Sequence, residues 1–229
     1  MICCAWYGFL MLMPLQLITS WRCQQMNDLK RTIEALVSKG FKAVLAADAA
    51  KATAYVLSVI GEDETVGMGG SVTLFETGIA DALLARGNTV FSSQVAERTG
   101  EDKEEAKRLG MGADVYLTST NALTLEGDLI NIDGVGNRVA AMIYGPPKIV
   151  CVAGKNKLTQ NPHTAVARIK KIACPQNARR LGLSTPCATL DRCTDCDDAY
   201  RMCNVTVRLQ RPTRGKEIHV VLIDGDFGY

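Results

Sequence analysis

The sequence predicts an α/β fold: a mainly parallel open sheet covered by helices, with a C-terminal hairpin. Three observations carry this. From Met26 onward, short apolar runs alternate with stretches of helical period. Two runs, Asp114–Leu117 and Lys148–Ala153, are apolar and bounded by glycine or proline, as buried parallel strands are. The unit Thr65–Arg86 reads as strand, glycine turn and helix, the building block of helix-covered parallel sheets.

The elements follow in order. Residues 1–25 form an apolar leader. Its Ile2–Ile18 stretch contains Gly8, Pro14 and Gln16, lacks a basic start and a small-residue cleavage site, and falls short of the about 20 apolar residues of a membrane span. Translation is expected to start at Met26, which places the protein in the cytoplasm; a membrane anchor is the alternative. Leu29, Ile33, Leu36 and Val37 then predict a helix over Asn27–Ser38, capped by Asn27 or Asp28 and ended by Gly40. Phe41–Ala46 reads as a strand and Ala49–Ile60 as an Ala-rich helix. Thr65–Met68 is a strand, Val72–Arg86 a helix closed by Gly87, and Thr89–Phe91 a strand. Thr99 is placed to cap a helix with Glu101 and Asp102 in its first turn and Lys107 and Arg108 in its last. A polar, glycine-rich stretch, Thr118–Gly145, separates the two buried strands. Pro162–Ile172 reads as a helix, and Val205–Arg211 and Glu217–Asp224, joined through Pro212-Thr213-Arg214-Gly215, as a hairpin. The expected organisation is the leader 1–25, an α/β domain 26–175, and a cysteine-containing tail and hairpin 176–229 completing the same domain.

Composition excludes some functions. The chain of 229 residues is 47% hydrophobic and 22% charged, with a net charge of +2. That charge is uneven: Arg168–Lys216 holds eleven Lys/Arg against four Asp/Glu. Such a stretch suits an anionic substrate, an acidic partner or a solvated basic face. Its lone aromatic, Tyr200, gives no base-stacking surface, which argues against nucleic acid.

Three features could carry chemistry. The first is Gly67-Met-Gly69-Gly70-Ser71-Val-Thr73, where bare backbone amides at the end of a strand, with the Ser71 and Thr73 hydroxyls, suit phosphate or carboxylate. It is neither the GxGxxG of a nicotinamide site nor a Walker loop ending in GK[ST]. Glu76, one turn on, is a weak catalytic candidate whose alternative role is to favour the helix N-terminus. The second is the polar segment containing Ser119, Thr120 and Asn121, then Asn131, Asp133, Asn137 and Arg138. Asn131 and Asp133 share one face of an extended run, and Arg138 offers a fork for a carboxylate or phosphate. Asp133 is the other weak catalytic candidate. Lys157, just after the strand Lys148–Ala153, falls at the same sheet edge. The third is Cys187-x5-Cys193-x2-Cys196-x6-Cys203, a potential four-thiolate set for zinc or an iron–sulfur cluster. Cys174 is a weaker candidate, and His163 and His219 read as structural.

Together, Gly67–Gly78, Thr120-Asn-Ala-Leu-Thr124, Asn131–Arg138, Tyr144-Gly-Pro-Pro-Lys148 and Gly154-Lys-Asn-Lys157 resemble the LUD (lactate-utilisation) domain family, in its branch with a cysteine-containing C-terminal tail. The resemblance implies a fold similar to the ribose-phosphate isomerase and CoA-transferase group, with ligands at the carboxyl edge of the strands. It also implies a role in oxidising lactate to pyruvate, usually beside iron–sulfur protein partners. Carried over, the glycine loop puts an anionic metabolite on Gly69, Gly70, Ser71 and Thr73, with Asn121, Asp133, Asn137, Arg138 and Lys157 on facing loops. Whether the chain turns over alone, as an oxidoreductase component, or assembles with a second copy is left open by the sequence. The alternatives are a regulatory metabolite-binding protein with structural zinc, and a sugar-phosphate isomerase or CoA-transferase-like enzyme.

Overall fold

The computed structural model describes residues 15–229, with side chains from Arg22 onward. Most of the apolar leader therefore lies outside the described residues. Among them, no helix is long and apolar enough to cross a membrane. The first helix among the described residues, α1 (Leu15–Ser38), begins well before the expected cap at Asn27 or Asp28. No glycine or proline interrupts Leu15–Ser38, and Gln24 Nε2 donates to Asp28 Oδ1 at 3.1 Å, an interior i to i+4 contact.

The architecture rests on two sheets. The larger is all parallel and built from β1 (Lys42–Ala46), β2 (Val66–Met68), β3 (Val90–Ser92), β4 (Val115–Thr118), β7 (Lys148–Gly154) and β10 (Glu217–Ile223). Their spatial order is β1-β10-β7-β4-β2-β3. The smaller has order β8-β5-β6-β9, from β5 (Ala122–Thr124), β6 (Leu129–Asp133), β8 (Leu158–Thr159) and β9 (Val205–Leu209).

Strict alternation along the central strands divides the core. Val150, Val152, Val221 and Ile223 face one side of the large sheet. There they meet Ala52 and Val56 of α2 (Ala49–Val59), Leu74 of α3 (Val72–Glu76), and Ile79 and Leu83 of α4 (Ile79–Arg86). Ile149, Cys151, Ile218, Val220 and Leu222 face the other side. Their partners are Leu29 and Leu36 of α1, Met142 of α7 (Asn137–Tyr144), and Leu123 and Leu129 of the small sheet. The small sheet turns Ala122, Ile130 and Ile132 outward onto Ala165 of α8 (Pro162–Arg168) and onto Ile169 and Ala173. Fully burying such a side chain contributes roughly 1.5–3 kcal/mol, so each sheet is held from both faces. Asp128, 1% exposed, ties Lys39, just past the end of α1, to β9 by accepting Lys39 Nζ at 2.5 Å and Arg208 Nη2 at 2.7 Å.

Several expectations are corrected. Val205–Arg211 and Glu217–Asp224 are not a hairpin. β9 runs antiparallel to β6 at the rim of the small sheet, whereas β10 lies parallel between β1 and β7 in the large one. The cause is visible in the residues: Glu217–Ile223 is buried from its second residue on, whereas β9 is exposed for most of its length. Pro212–Gly215 is thus a crossover between sheets. The polar stretch Thr118–Gly145 folds into β5, β6 and α7. The long helix Val72–Arg86 is broken: Thr77 Oγ1 donates back to the Thr73 carbonyl at 2.9 Å, and Gly78 takes φ +71°. Asp102, not Thr99, caps α6 (Lys103–Met111), and Thr99 ends a separate helix, α5 (Ser93–Thr99). The helix at Pro162 continues through a π turn, Ile169–Ala173, into α9 (Cys174–Arg180), where Pro175 sits in the first turn and needs no N–H partner.

Candidate functional site

Because β2, β4, β7 and β10 are parallel neighbours, the loops that leave them gather on one edge of the sheet. After β2 the chain moves to β3 on one side; after β4 it proceeds to β7 on the other. A crevice opens where the strand order diverges in this way. Its walls are Gly69–Ser71 after β2, Ser119–Asn121 after β4, Lys155–Lys157 after β7, and the chain end after β10.

All nine residues expected to hold a ligand line one cavity of about 690 Å³: Gly69, Gly70, Ser71, Thr73, Asn121, Asp133, Asn137, Arg138 and Lys157. The structure assigns them different tasks. The glycine loop precedes a helix of only five residues, so little helix dipole is available, and the Ser71 hydroxyl is engaged with Leu74 N at 3.4 Å. A Cβ on Gly69 would come within 3.1 Å of the Tyr116 hydroxyl.

Arg138 is consumed internally. Its Nε donates to Asp133 Oδ1 at 2.9 Å, and its Nη2 to the same oxygen, to Asn121 Oδ1 at 2.7 Å and to the Ile132 carbonyl at 3.2 Å. Nη1 reaches the Ser119 carbonyl at 3.4 Å. Asp133 Oδ2 accepts Val139 N at 3.2 Å, so both carboxylate oxygens are occupied. Asn121 Oδ1 also receives Ile132 N at 2.9 Å, and Asn131 Oδ1 receives Asn121 N at 3.2 Å. Asn121, Asn131, Asp133 and Arg138 therefore form a brace that fixes two walls of the cavity. Asn137 also faces the cavity.

Lys157 is different. It is 3% exposed, and its Nζ donates to Thr73 Oγ1 at 2.7 Å and to Ser119 Oγ at 2.9 Å. Among the described residues no carboxylate lies within ion-pair distance of it, and its third N–H has no protein acceptor. Burial, then the nearby Arg168 and Arg138 guanidiniums, push its amine down to about 7 against the opposing pull of Cys151 and Glu76. Arg168 belongs to the same scaffold, donating to the carbonyls of Asn156 at 2.9 Å and Asn121 at 2.8 Å.

The last residues of the chain strap over this floor. Thr73 Oγ1 donates to the Phe227 carbonyl at 3.2 Å, Asn156 Nδ2 to the Gly228 carbonyl at 2.9 Å, and Gly228 N to Glu76 Oε2 at 2.5 Å. Glu76 is thus an exposed anchor for the strap and does not line the cavity. A Cβ on Gly228, whose φ is +62°, would overlap the Thr73 hydroxyl, so this contact needs glycine.

Sequence reasoning missed four residues of the site. Gln94 lines the cavity beside Gly70, and its Oε1 is a buried acceptor without a partner. Arg180 and Tyr229 hold each other at the rim at 2.8 Å, and Arg168 lies behind Lys157. None of these carries a motif; only the fold brings them to the same edge.

The cysteine loop forms another wall, through Tyr200, Arg201 and Met202. Cys187 is buried in α10 (Pro186–Leu190), while Cys193, Cys196 and Cys203 are partly exposed. Burial, with Cys203, Cys187 and Cys193 nearby, pushes the Cys174 thiol up to about 12. Among the described residues, however, no three His, Cys, Asp or Glu side chains are arranged to hold a metal ion. His219 bonds Tyr55 Oη at 2.9 Å and Glu217 Oε1 at 2.6 Å, a structural role.

Comparison with known proteins agrees with this architecture. No curated protein matches the chain. Among solved structures, a DUF162-family protein from Deinococcus radiodurans is similar in fold, with a TM-score of 0.51 at 15% identity, covering 87% of this chain and 98% of its own. The family model of the LUD domain matches residues 29–223, which take in both sheets and all the cavity walls except the strap. The chain therefore belongs to the LUD domain family.

Proposed function

We propose that this chain binds a small carboxylate of the lactate–pyruvate class at the carboxyl edge of its large sheet, as a component of lactate oxidation. The LUD family is associated with lactate utilisation in general. The observation that carries the reading is Lys157: a buried cation with two hydroxyl partners, a spare N–H and, among the described residues, no carboxylate within ion-pair distance, Glu76 acting only from farther off. A buried charge without a counter-charge is costly, and an anionic ligand in the cavity supplies that counter-charge. The bare amides of the glycine loop and the orphan Gln94 oxygen add a donor side and an acceptor side.

Lactate oxidation removes two electrons and needs an acceptor, so iron–sulfur protein partners belong to the proposal. Among the described residues no three side chains are arranged to hold a metal ion, and no step is assigned to a metal. An isomerase or CoA-transferase reading would need a free carboxylate at the loop. Asp133 is spent on Arg138 and Val139, and Glu76 on the strap. The test is a thermal-shift panel of L-lactate, pyruvate, ribose 5-phosphate and acetyl-CoA, followed by lactate-dependent dye reduction with and without partner proteins. Stabilisation by lactate or pyruvate is expected. Stabilisation by the sugar phosphate or the thioester alone would remove the proposal.

A further inference from the structure

We propose that Lys157 is a nucleophilic lysine that captures the carbonyl of a 2-oxo acid as a reversible imine; this rests on the reading of the cavity as a carboxylate site. Five other lysines illustrate what Lys157 lacks. Lys39, Lys42, Lys148, Lys155 and Lys170 each sit against a carboxylate, at 2.5–2.9 Å. Such a contact occupies the nitrogen with a counter-charge and leaves less room for a carbonyl to approach it. Lys157 has only hydroxyls, Thr73 Oγ1 and Ser119 Oγ, both of which accept from its ammonium. Thr73 already donates its proton to the Phe227 carbonyl, so Ser119, whose own acceptors lie at 3.4 Å, is the hydroxyl that can donate to the free amine or to a developing alkoxide.

The groups facing Lys157 come from four elements: Arg168 on α8, Arg138 on α7, Cys151 on β7 and Glu76 on α3. The two guanidiniums and burial outweigh Glu76 and the high-lying Cys151 thiol, so a neutral amine is available near pH 7. A desolvated lysine beside other cations is the standard way to make an amine nucleophilic at neutral pH.

The step balances without any redox partner. The amine lone pair attacks the carbonyl carbon and a C–N bond forms. The carbonyl oxygen then leaves as water with both amine protons, giving the imine, and neither carbon nor nitrogen changes oxidation state. One proton taken up by the nitrogen gives the iminium, which restores a positive charge beside the bound carboxylate. A 2-hydroxy acid has no carbonyl and binds without this bond, so the two partners of the lactate–pyruvate couple would be held differently by one site.

Reductive trapping decides the matter. The full chain is incubated with pyruvate and sodium cyanoborohydride near pH 7, digested, and mapped by mass spectrometry; a thermal-shift measurement with pyruvate runs in parallel. One reduced adduct per chain, located on Lys157 and absent with lactate, is the expected result. It should vanish in Lys157→Arg and in Lys157→Gln, each checked for folding by circular dichroism. Ordinary lysines titrate near about 10.4, so their labelling should grow only at higher pH. No adduct, or adducts scattered over exposed lysines, overturns the imine. If pyruvate still stabilises the protein in that case, the carboxylate site stands and the nucleophile alone is lost. If it does not, both fail.

Discussion

Replacing Arg138 by Met tests the distinction between a ligand-binding arginine and a bracing one. The Arg138 side chain is 18% exposed and that of Asp133 only 7%, and the guanidinium joins Asp133, Asn121 and the carbonyls of Ser119 and Ile132. Removing it leaves the Asp133 carboxylate buried with a single backbone N–H, from Val139. Breaking a buried pair from one side costs about 3–5 kcal/mol, because the remaining charge stays uncompensated. With a urea m-value of roughly 3 kcal/mol/M, the unfolding midpoint should fall by roughly 1–1.7 M. Adding Asp133→Asn should recover at least half of that loss, since no orphan charge then remains. A loss below about 1 kcal/mol, the range of exposed ion pairs, would refute the brace. So would a double variant as unstable as the sum of the two single ones.

Three further outcomes follow from the same geometry. For Lys157, the folded amine near 7 lies below the ordinary value of about 10.4, so burial of the charged form destabilises the fold fully below pH 7 and progressively less up to about pH 10.4. Lys157→Met should therefore stabilise the ligand-free protein at neutral pH, by up to about 4 kcal/mol before its lost hydrogen bonds are counted, with the gain fading toward pH 10; chemical denaturation at several pH values reads this, and a pH-independent effect would contradict it. Gly67→Ala places a Cβ against the Gly110 backbone where α6 crosses β2, and overpacking of this kind costs about 1–3 kcal/mol, seen as a lowered melting temperature. Among the described thiols, exposed Cys23 and the partly exposed Cys193, Cys196 and Cys203 should react with a disulfide reagent in the native state, while Cys151 and Cys174, buried and pushed up to about 12, should react only on unfolding.

Much of the architecture was legible because periodicity reports burial. The continuous apolar runs before Thr118 and Gly154 read as buried parallel strands and are so. The same signal was present in Glu217–Ile223, but a nearby glycine-bearing turn suggested a hairpin, and turn chemistry does not reveal which sheet a strand joins. The long helix proposed after the glycine loop failed on Thr77 and Gly78, whose local hydrogen bonds outweigh the apolar pattern around them. At the candidate site, placement at strand ends brought the expected residues to one cavity. Their roles were not legible. Arg138 and Lys157 are both cations in polar loops, and only the fold gives one an internal carboxylate and the other none. Gln94, Arg168 and Arg180 carry no local signal at all, since their positions depend on the crossings between strands.

Lys157, as the proposed counter-charge for a small carboxylate in this cavity, is the residue on which the functional reading turns. Isothermal titration of pyruvate and L-lactate into the wild type and Lys157→Met, at neutral pH, tests it most directly. Stoichiometric binding to the wild type is expected, with an affinity at least about tenfold weaker in the variant, the loss of about 1.4 kcal/mol or more. Equal affinity in the two proteins, or no binding of either acid to the wild type, would contradict it.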